Sequence, residues 1–163
     1  MEEDLVRVLA FYNCGVSKIE SLDTVMAKGC CLCGAVEFEV DLIAGQVYSC
    51  HCSLCQRSHG AAFATLALAE GGSLTFIDGE DKLTDYFSGG GFRAFCSICG
   101  SRLMNYAKDK NQYLSVMVSC LENKDELAPV ANVCIETKPD WNPLASDIPA
   151  YEGIPQKILA AVE

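Results

Sequence analysis

Three groups of cysteines stand out in the 163-residue chain: Cys31-Leu32-Cys33-Gly34, Cys50-His51-Cys52-Ser53-Leu54-Cys55 and Cys96-Ser97-Ile98-Cys99-Gly100. Such spacing brings two thiolates onto one tight turn, where both can bind the same tetrahedral Zn²⁺ at about 2.3 Å per bond. A single Cys-x-x-Cys is weak grounds for a metal, but three groups are strong grounds. The total of 11 cysteines is odd, so complete disulfide pairing within one chain cannot account for them. The chain begins Met1-Glu2-Glu3-Asp4, where a secretory signal would carry positive charge. No apolar run reaches the ~18–20 residues of a membrane span. The expected setting is reducing and cytoplasmic, where clustered cysteines act as metal ligands or catalytic thiols.

The groups differ in kind. Cys33 and Cys99 are each followed by glycine, which permits positive φ and lets the backbone fold under a metal with its N–H groups aimed at sulfur. That suggests Cys31, Cys33, Cys96 and Cys99 as one closed, structural four-thiolate zinc site. The middle group has three sulfurs and no trailing glycine. Three protein ligands leave one tetrahedral position for water or substrate, so Cys50, Cys52 and Cys55 are expected to hold a catalytic zinc. A competing arrangement stays open: Cys52 and Cys55 with Cys96 and Cys99 as a zinc ribbon, leaving Cys31 and Cys33 over. Beside the middle group, Arg57 is a candidate to hold an anionic substrate, and His51 and His59 are candidates to support a ligand or move a proton. Cys30 lies off the ligand spacing. Cys120 and Cys134 read as buried small hydrophobes, Arg93 and Arg102 as contacts of the last cysteine turn, and Trp141 as a packing anchor.

The elements that must position these groups are mainly β. Half the chain is hydrophobic and 21% is charged, which suits a folded domain with a real core. The net charge of −10 counts against nucleic acid and anionic membranes as partners. Residues 1–25 read as an extension, with Leu5, Val8, Leu9 and Tyr12 at helical spacing, and 26–163 as the zinc-binding domain. Strands are predicted over 36–40, 63–68, 74–77, 83–87, 113–118 and 130–137, with turns at Gly71-Gly72, Asp78-Gly79 and Gly89-Gly90-Gly91. Ser53 is the expected cap of a short helical turn through Arg57. Prolines make 139–155 irregular, and Pro155 can start a terminal helix over 156–162.

With their flanks, these motifs resemble the glutathione-dependent formaldehyde-activating enzyme family, which includes the centromere protein V group. The resemblance rests on Gly29 to Val36, Cys50 to Arg57, Gly60-Ala61-Ala62-Phe63-Ala64, Phe95 to Gly100, Lys138-Pro139-Asp140-Trp141 and Ile148-Pro149-Ala150-Tyr151. It implies several small coiled, mostly antiparallel sheets around two zincs, a fold shared with methionine-R-sulfoxide reductases. It also implies a structural zinc on Cys31, Cys33, Cys96 and Cys99, and a catalytic zinc on Cys50, Cys52 and Cys55. The chain departs from the family near Cys134, often an aromatic position, and near Asn132, often a histidine.

The implied activity is that of a carbon–sulfur lyase-like enzyme. It would act on a small thiol such as glutathione and a small aldehyde such as formaldehyde, through S-hydroxymethylglutathione. Arg57 would orient a substrate carboxylate and His59 would move the proton. The alternative is a zinc-stabilised protein-interaction module without catalysis. A sulfoxide reductase-like reading needs an activated thiolate outside the zinc set, for which Cys120 is the only candidate.

Overall fold

The computed structural model describes residues 23–107 and 110–155. The predicted helices over 5–12 and 156–162 lie outside the described residues. Among the described residues ten strands are joined in one hydrogen-bonded network, so the mainly β expectation holds.

The spine is β2 (Glu37–Cys50), whose 14 residues change character halfway. In its first half Phe38, Val40 and Leu42 point inward between polar neighbours, the period of a half-buried strand. Its last four residues, Val47 to Cys50, are all buried, because side chains pack on both faces of this half, Val47 on one and Tyr48 and Cys50 on the other. The register shifts between Leu42 and Val47, where Gly45 takes φ 70°. The first half pairs antiparallel with β1 (Thr24–Cys30) and β4 (Thr75–Asp78). The second half pairs antiparallel with β3 (Ala64–Ala69) and parallel with β9 (Ala131–Val133). From β3 the sheet continues through β8 (Leu114–Met117), β7 (Arg102–Tyr106) and β6 (Gly91–Cys96) to β5 (Leu83–Ser88). At the other edge β10 (Ala150–Tyr151) adds to β9 in parallel. The sheet is therefore mixed, with its two parallel pairings confined to that edge.

Two apolar clusters fill the interior. One gathers Phe38, Val40, Leu42, Leu103, Met104, Leu114 and Val116 and contains Cys31 and Cys96. The other gathers Tyr48, Leu66, Leu68, Met117, Ala131 and Val133 and contains Cys50, Cys55 and Cys134. Each cysteine group is thus rooted in its own core. Gly29 shows how tightly the first is closed: a Cβ there would lie 2.5 Å from the Phe38 ring and 3.0 Å from the Cys120 carbonyl oxygen.

Four strands, β1, β6, β7 and β10, carry no predicted strand, β10 lying in the stretch expected to be irregular. In β1 only Ala27 and Gly29 are buried, so its inward face has almost no hydrophobic signal. The strand predicted over 130–137 stops at Val133, because Cys134 turns left-handed and a 3₁₀ turn follows at Ile135–Thr137. The single α-helix among the described residues, α1 (Ser53–His59), is capped by Cys52 rather than Ser53: the Cys52 sulfur accepts from the Cys55 N–H at 3.4 Å. Trp141 is no packing anchor, being 75% exposed. No described helix is long and apolar enough to cross a membrane.

Candidate functional site

Two hairpin tips build the four-cysteine group. β1 and β2 are joined by a loop holding Cys31 and Cys33, closed by the Cys31 N–H to the Val36 carbonyl at 3.0 Å. The Val36 N–H in turn donates to the Cys31 sulfur at 3.3 Å. β6 and β7 are joined by a loop holding Cys99, closed by the Cys96 N–H to the Ser101 carbonyl at 3.0 Å. Gly34 and Gly100 both take φ 75°, the conformation expected of glycines after the ligands. The four sulfurs lie within 4.8 Å of one another. The Cys31–Cys33 and Cys33–Cys96 separations, 3.5 and 3.9 Å, match the ~3.8 Å edge of a tetrahedron with 2.3 Å metal–sulfur bonds. Ser101 ties the tips together: its hydroxyl accepts from the Leu32 N–H at 2.9 Å and lies 3.2 Å from the Cys99 sulfur. That hydroxyl pulls the Cys99 thiol down to about 5. The grouping removes the zinc-ribbon alternative, because Cys96 and Cys99 join Cys31 and Cys33, not Cys52 and Cys55.

The three-cysteine group sits at the buried end of the spine. Cys50 is the last residue of β2, Cys52 caps α1 and Cys55 lies in its first turn. Their sulfurs also lie within 4.8 Å of one another. In the metal-free group, hydrogen bonds from the Cys50 and Cys55 thiols push Cys52 down to about 2, and the same contacts push Cys55 up. A metal held here would take these sulfurs as thiolates and release their protons.

Around this loop wraps the segment after β9. The His51 N–H donates to the Val133 carbonyl at 3.0 Å, and the His51 Nε2 meets the Asn132 Oδ1 at 3.1 Å. The Thr137 hydroxyl and the Gln56 amide both donate to the His51 carbonyl, at 3.0 and 2.6 Å. His51 is 2% exposed and lies 5.1 Å from the Phe63 ring, so it is a buried hydrogen-bonded group and not a solvent-facing one.

A cleft of about 630 Å³ runs from the four-cysteine tip to the last turn of α1, lined by Cys31, Ser58, His59, Ser101, Arg102 and Cys120 among others. The three sulfurs do not line it; His59 and Arg102 do. Burial, then the charges of Arg102 and Arg93, push His59 down to about 4, so its imidazole is neutral at pH 7. Burial and Arg93 likewise lower Arg102 to about 10. Arg93 and Arg102 converge on one neutral acceptor, Asn105 Oδ1, at 3.4 and 3.0 Å. Among the described residues neither forms an ion pair, and the Nε atoms of both arginines and His59 Nε2 are buried without a hydrogen-bond partner. The nearby Asp85 carboxylate is taken by the Tyr106 hydroxyl. The charges of Cys55 and Asp85 partly offset that of Arg102, while the unpartnered Nε donors of both arginines are suited to an anion.

Sequence reasoning assigned the two arginines to the last cysteine turn, since both flank it. Strand geometry instead turns their guanidinium groups to Asn105, within electrostatic reach of Cys55 for Arg102. Arg57 is exposed on α1 and does not line the cleft. Cys30 lies outside both sulfur groups, and Cys120 donates to the Arg102 carbonyl at 3.1 Å with its thiol pushed up by burial, the opposite of an activated thiolate.

Comparison with known proteins comes to the same region. The family profile described as glutathione-dependent formaldehyde-activating enzyme matches residues 26–137. A protein of Halomonas elongata, whose name assigns it provisionally as a glutathione-dependent formaldehyde-activating enzyme, is 24% identical over 148 residues, covering 83% of this chain and 93% of its own. A crystal structure of a Rhodobacter sphaeroides protein superposes with a TM-score of 0.51 at 29% identity, covering 76% of this chain and 98% of that one.

Proposed function

Taking as premise that the chain belongs to the glutathione-dependent formaldehyde-activating enzyme family, we propose that it is a zinc-dependent, carbon–sulfur lyase-like enzyme. Its reaction would join a small anionic thiol such as glutathione to a small aldehyde such as formaldehyde, or cleave their adduct. The carrying observation is the pairing of three clustered sulfurs with the unpartnered Nε donors of Arg93 and Arg102 and the neutral, unpartnered His59 near them. Clustered all-sulfur donor sets fit zinc at both groups, Cys31, Cys33, Cys96 and Cys99 for structure and Cys50, Cys52 and Cys55 for chemistry. A zinc ion held by the three cysteines supplies Lewis acidity, which eases ionisation of a thiol and draws charge from a carbonyl oxygen.

The chain's own residues supply the rest. Arg102 and Arg93 hold the thiol's carboxylate through charge-assisted hydrogen bonds. Arg57, exposed on α1, draws anions toward the mouth of the site. His59, neutral at pH 7, accepts the thiol proton at its unpartnered Nε2. As the carbon–sulfur bond forms, the carbonyl π pair moves to oxygen, and His59 returns the proton there; cleavage runs the same steps backward.

The test is a metal count combined with glutathione–formaldehyde exchange followed by NMR. About two zincs per chain with accelerated exchange supports the enzyme. Two tightly held metals with no acceleration across several thiols and aldehydes would make the protein a non-catalytic, zinc-stabilised interaction module instead.

A further inference from the structure

We propose that Cys134 is a displaceable fourth ligand of the three-cysteine centre, occupying the open position at rest and yielding it to an incoming thiol. This rests on the reading that Cys50, Cys52 and Cys55 hold a metal. Sequence pattern made Cys134 a filler of the core, and nothing in its neighbours suggests otherwise. The topology does. β9 lies parallel to the end of β2, with Ser49 opposite Asn132 and Cys50 opposite Val133. Residue 134 therefore leaves the sheet beside the first ligand. Hydrogen bonds from His51 and Gln56 to Asn132, Val133 and Thr137 clamp the segment on both sides of it.

Cys134 is 9% exposed and packs in the cluster that contains Cys50 and Cys55. Its thiol shares a hydrogen bond with that of Cys50. It is also the only non-glycine residue with positive φ among those described, at φ 56° and ψ 44°. An L-residue avoids this region unless its surroundings hold it there, and such positions gather at functional sites. Here the Cys134 N–H donates to the Gly153 carbonyl at 3.0 Å, fixing the turn. Cys134 is not among the sulfurs that all lie within 4.8 Å of one another, so it stands one step outside the group. To join the group its side chain would rotate inward.

The exchange balances without a further reagent. With a metal bound, the incoming thiol would give its S–H proton to His59 Nε2, which would pass it to the Cys134 sulfur as that sulfur leaves; Cys134 would return it by the same path to the adduct oxygen when it rebinds. Four thiolates face the metal before and after, so the charge beside Arg102 is unchanged. A thiolate cap also keeps water out of the position until a thiol arrives, which restricts the site to sulfur substrates.

The full-length protein loaded with ¹¹³Cd tests this, because cadmium NMR reports sulfur count at each site separately. Two resonances in the four-thiolate range are expected for the unaltered chain. Cys134→Ser should move one of them upfield and leave the other. Glutathione added to the variant should draw it back, and that site should lose its metal to a chelator about tenfold faster when glutathione is absent. Cys134→Gly, which also suits the left-handed backbone, should behave alike. A wild-type resonance already in the three-thiolate range, unmoved by either variant, overturns the proposal. A shifted resonance that glutathione never changes overturns the exchange, whereas exchange without turnover leaves the cap intact and sinks only the proposed activity.

Discussion

The four-cysteine group is carried on two hairpin tips, with Leu32 87% and Ile98 61% exposed beside its ligands, while the three-cysteine group ends the buried half of β2. In the first, backbone N–H groups, glycine turns and Ser101 satisfy the sulfurs locally, and the tips need the metal to hold each other. In the second, the surrounding strands and the 131–137 segment already hold the loop, and the sulfur count is short by one. Where cysteines alone join two loops, all four sit on the hairpin tips; where the fold supplies the frame, three lie together at the end of β2 and strand pairing brings Cys134 alongside them.

Removing one ligand from each group separates these roles most sharply. Cys96→Ser should cost one metal and lower Tm by more than about 10 °C, since structural zinc binding is folding free energy. Equal metal loss with an unchanged melting curve would break the contrast. Cys52→Ser should also cost one metal, but leave the fold and reduce adduct turnover by more than about 100-fold, beyond the effect of losing an outer partner of a metal site. Full zinc content and activity in that variant would remove the three-cysteine centre from the mechanism.

The two arginines give a finer test. Arg102→Gln should raise KM for the glutathione adduct by about 10–100-fold, the worth of a charge-assisted hydrogen bond, and leave KM for an uncharged thiol nearly unchanged. His59 carries a pH signature. Held down to about 4 in the fold against 6.5 when free, it takes up its proton more readily in the unfolded chain. Stability present above pH 6.5 is therefore lost as pH falls through that window to 4, by on the order of 1–2 kcal/mol after solvent screening. His59→Gln should flatten this slope in urea unfolding of the metal-loaded protein. A variant with the wild-type slope would place the titration elsewhere. Arg57→Gln should have the smallest effect, below about fivefold in KM and fading with salt.

The ligand sets were legible because a tetrahedral centre demands short cysteine spacings, and glycine after Cys33 and Cys99 marks the turns that fold beneath it. The alternating start of β2 and the short apolar run of β8 were legible for the same local reason. β1 was not, since its buried residues are only Ala27 and Gly29. β6 and β7 were hidden by the arginines they carry. Arg102 borders a cysteine turn in sequence, yet its guanidinium group meets Asn105 and its charge acts within reach of Cys55.

The odd count of cysteines, their grouping into sets of two, three and two, and the acidic background follow from the sequence alone, because ligand type and spacing are local properties. Which sets share a metal, which side chains surround the short one, and where Cys134 falls were decided by strand pairing. The parallel register of β9 on β2 joins residues 50 and 133, and no periodicity along the chain encodes a contact between segments that far apart.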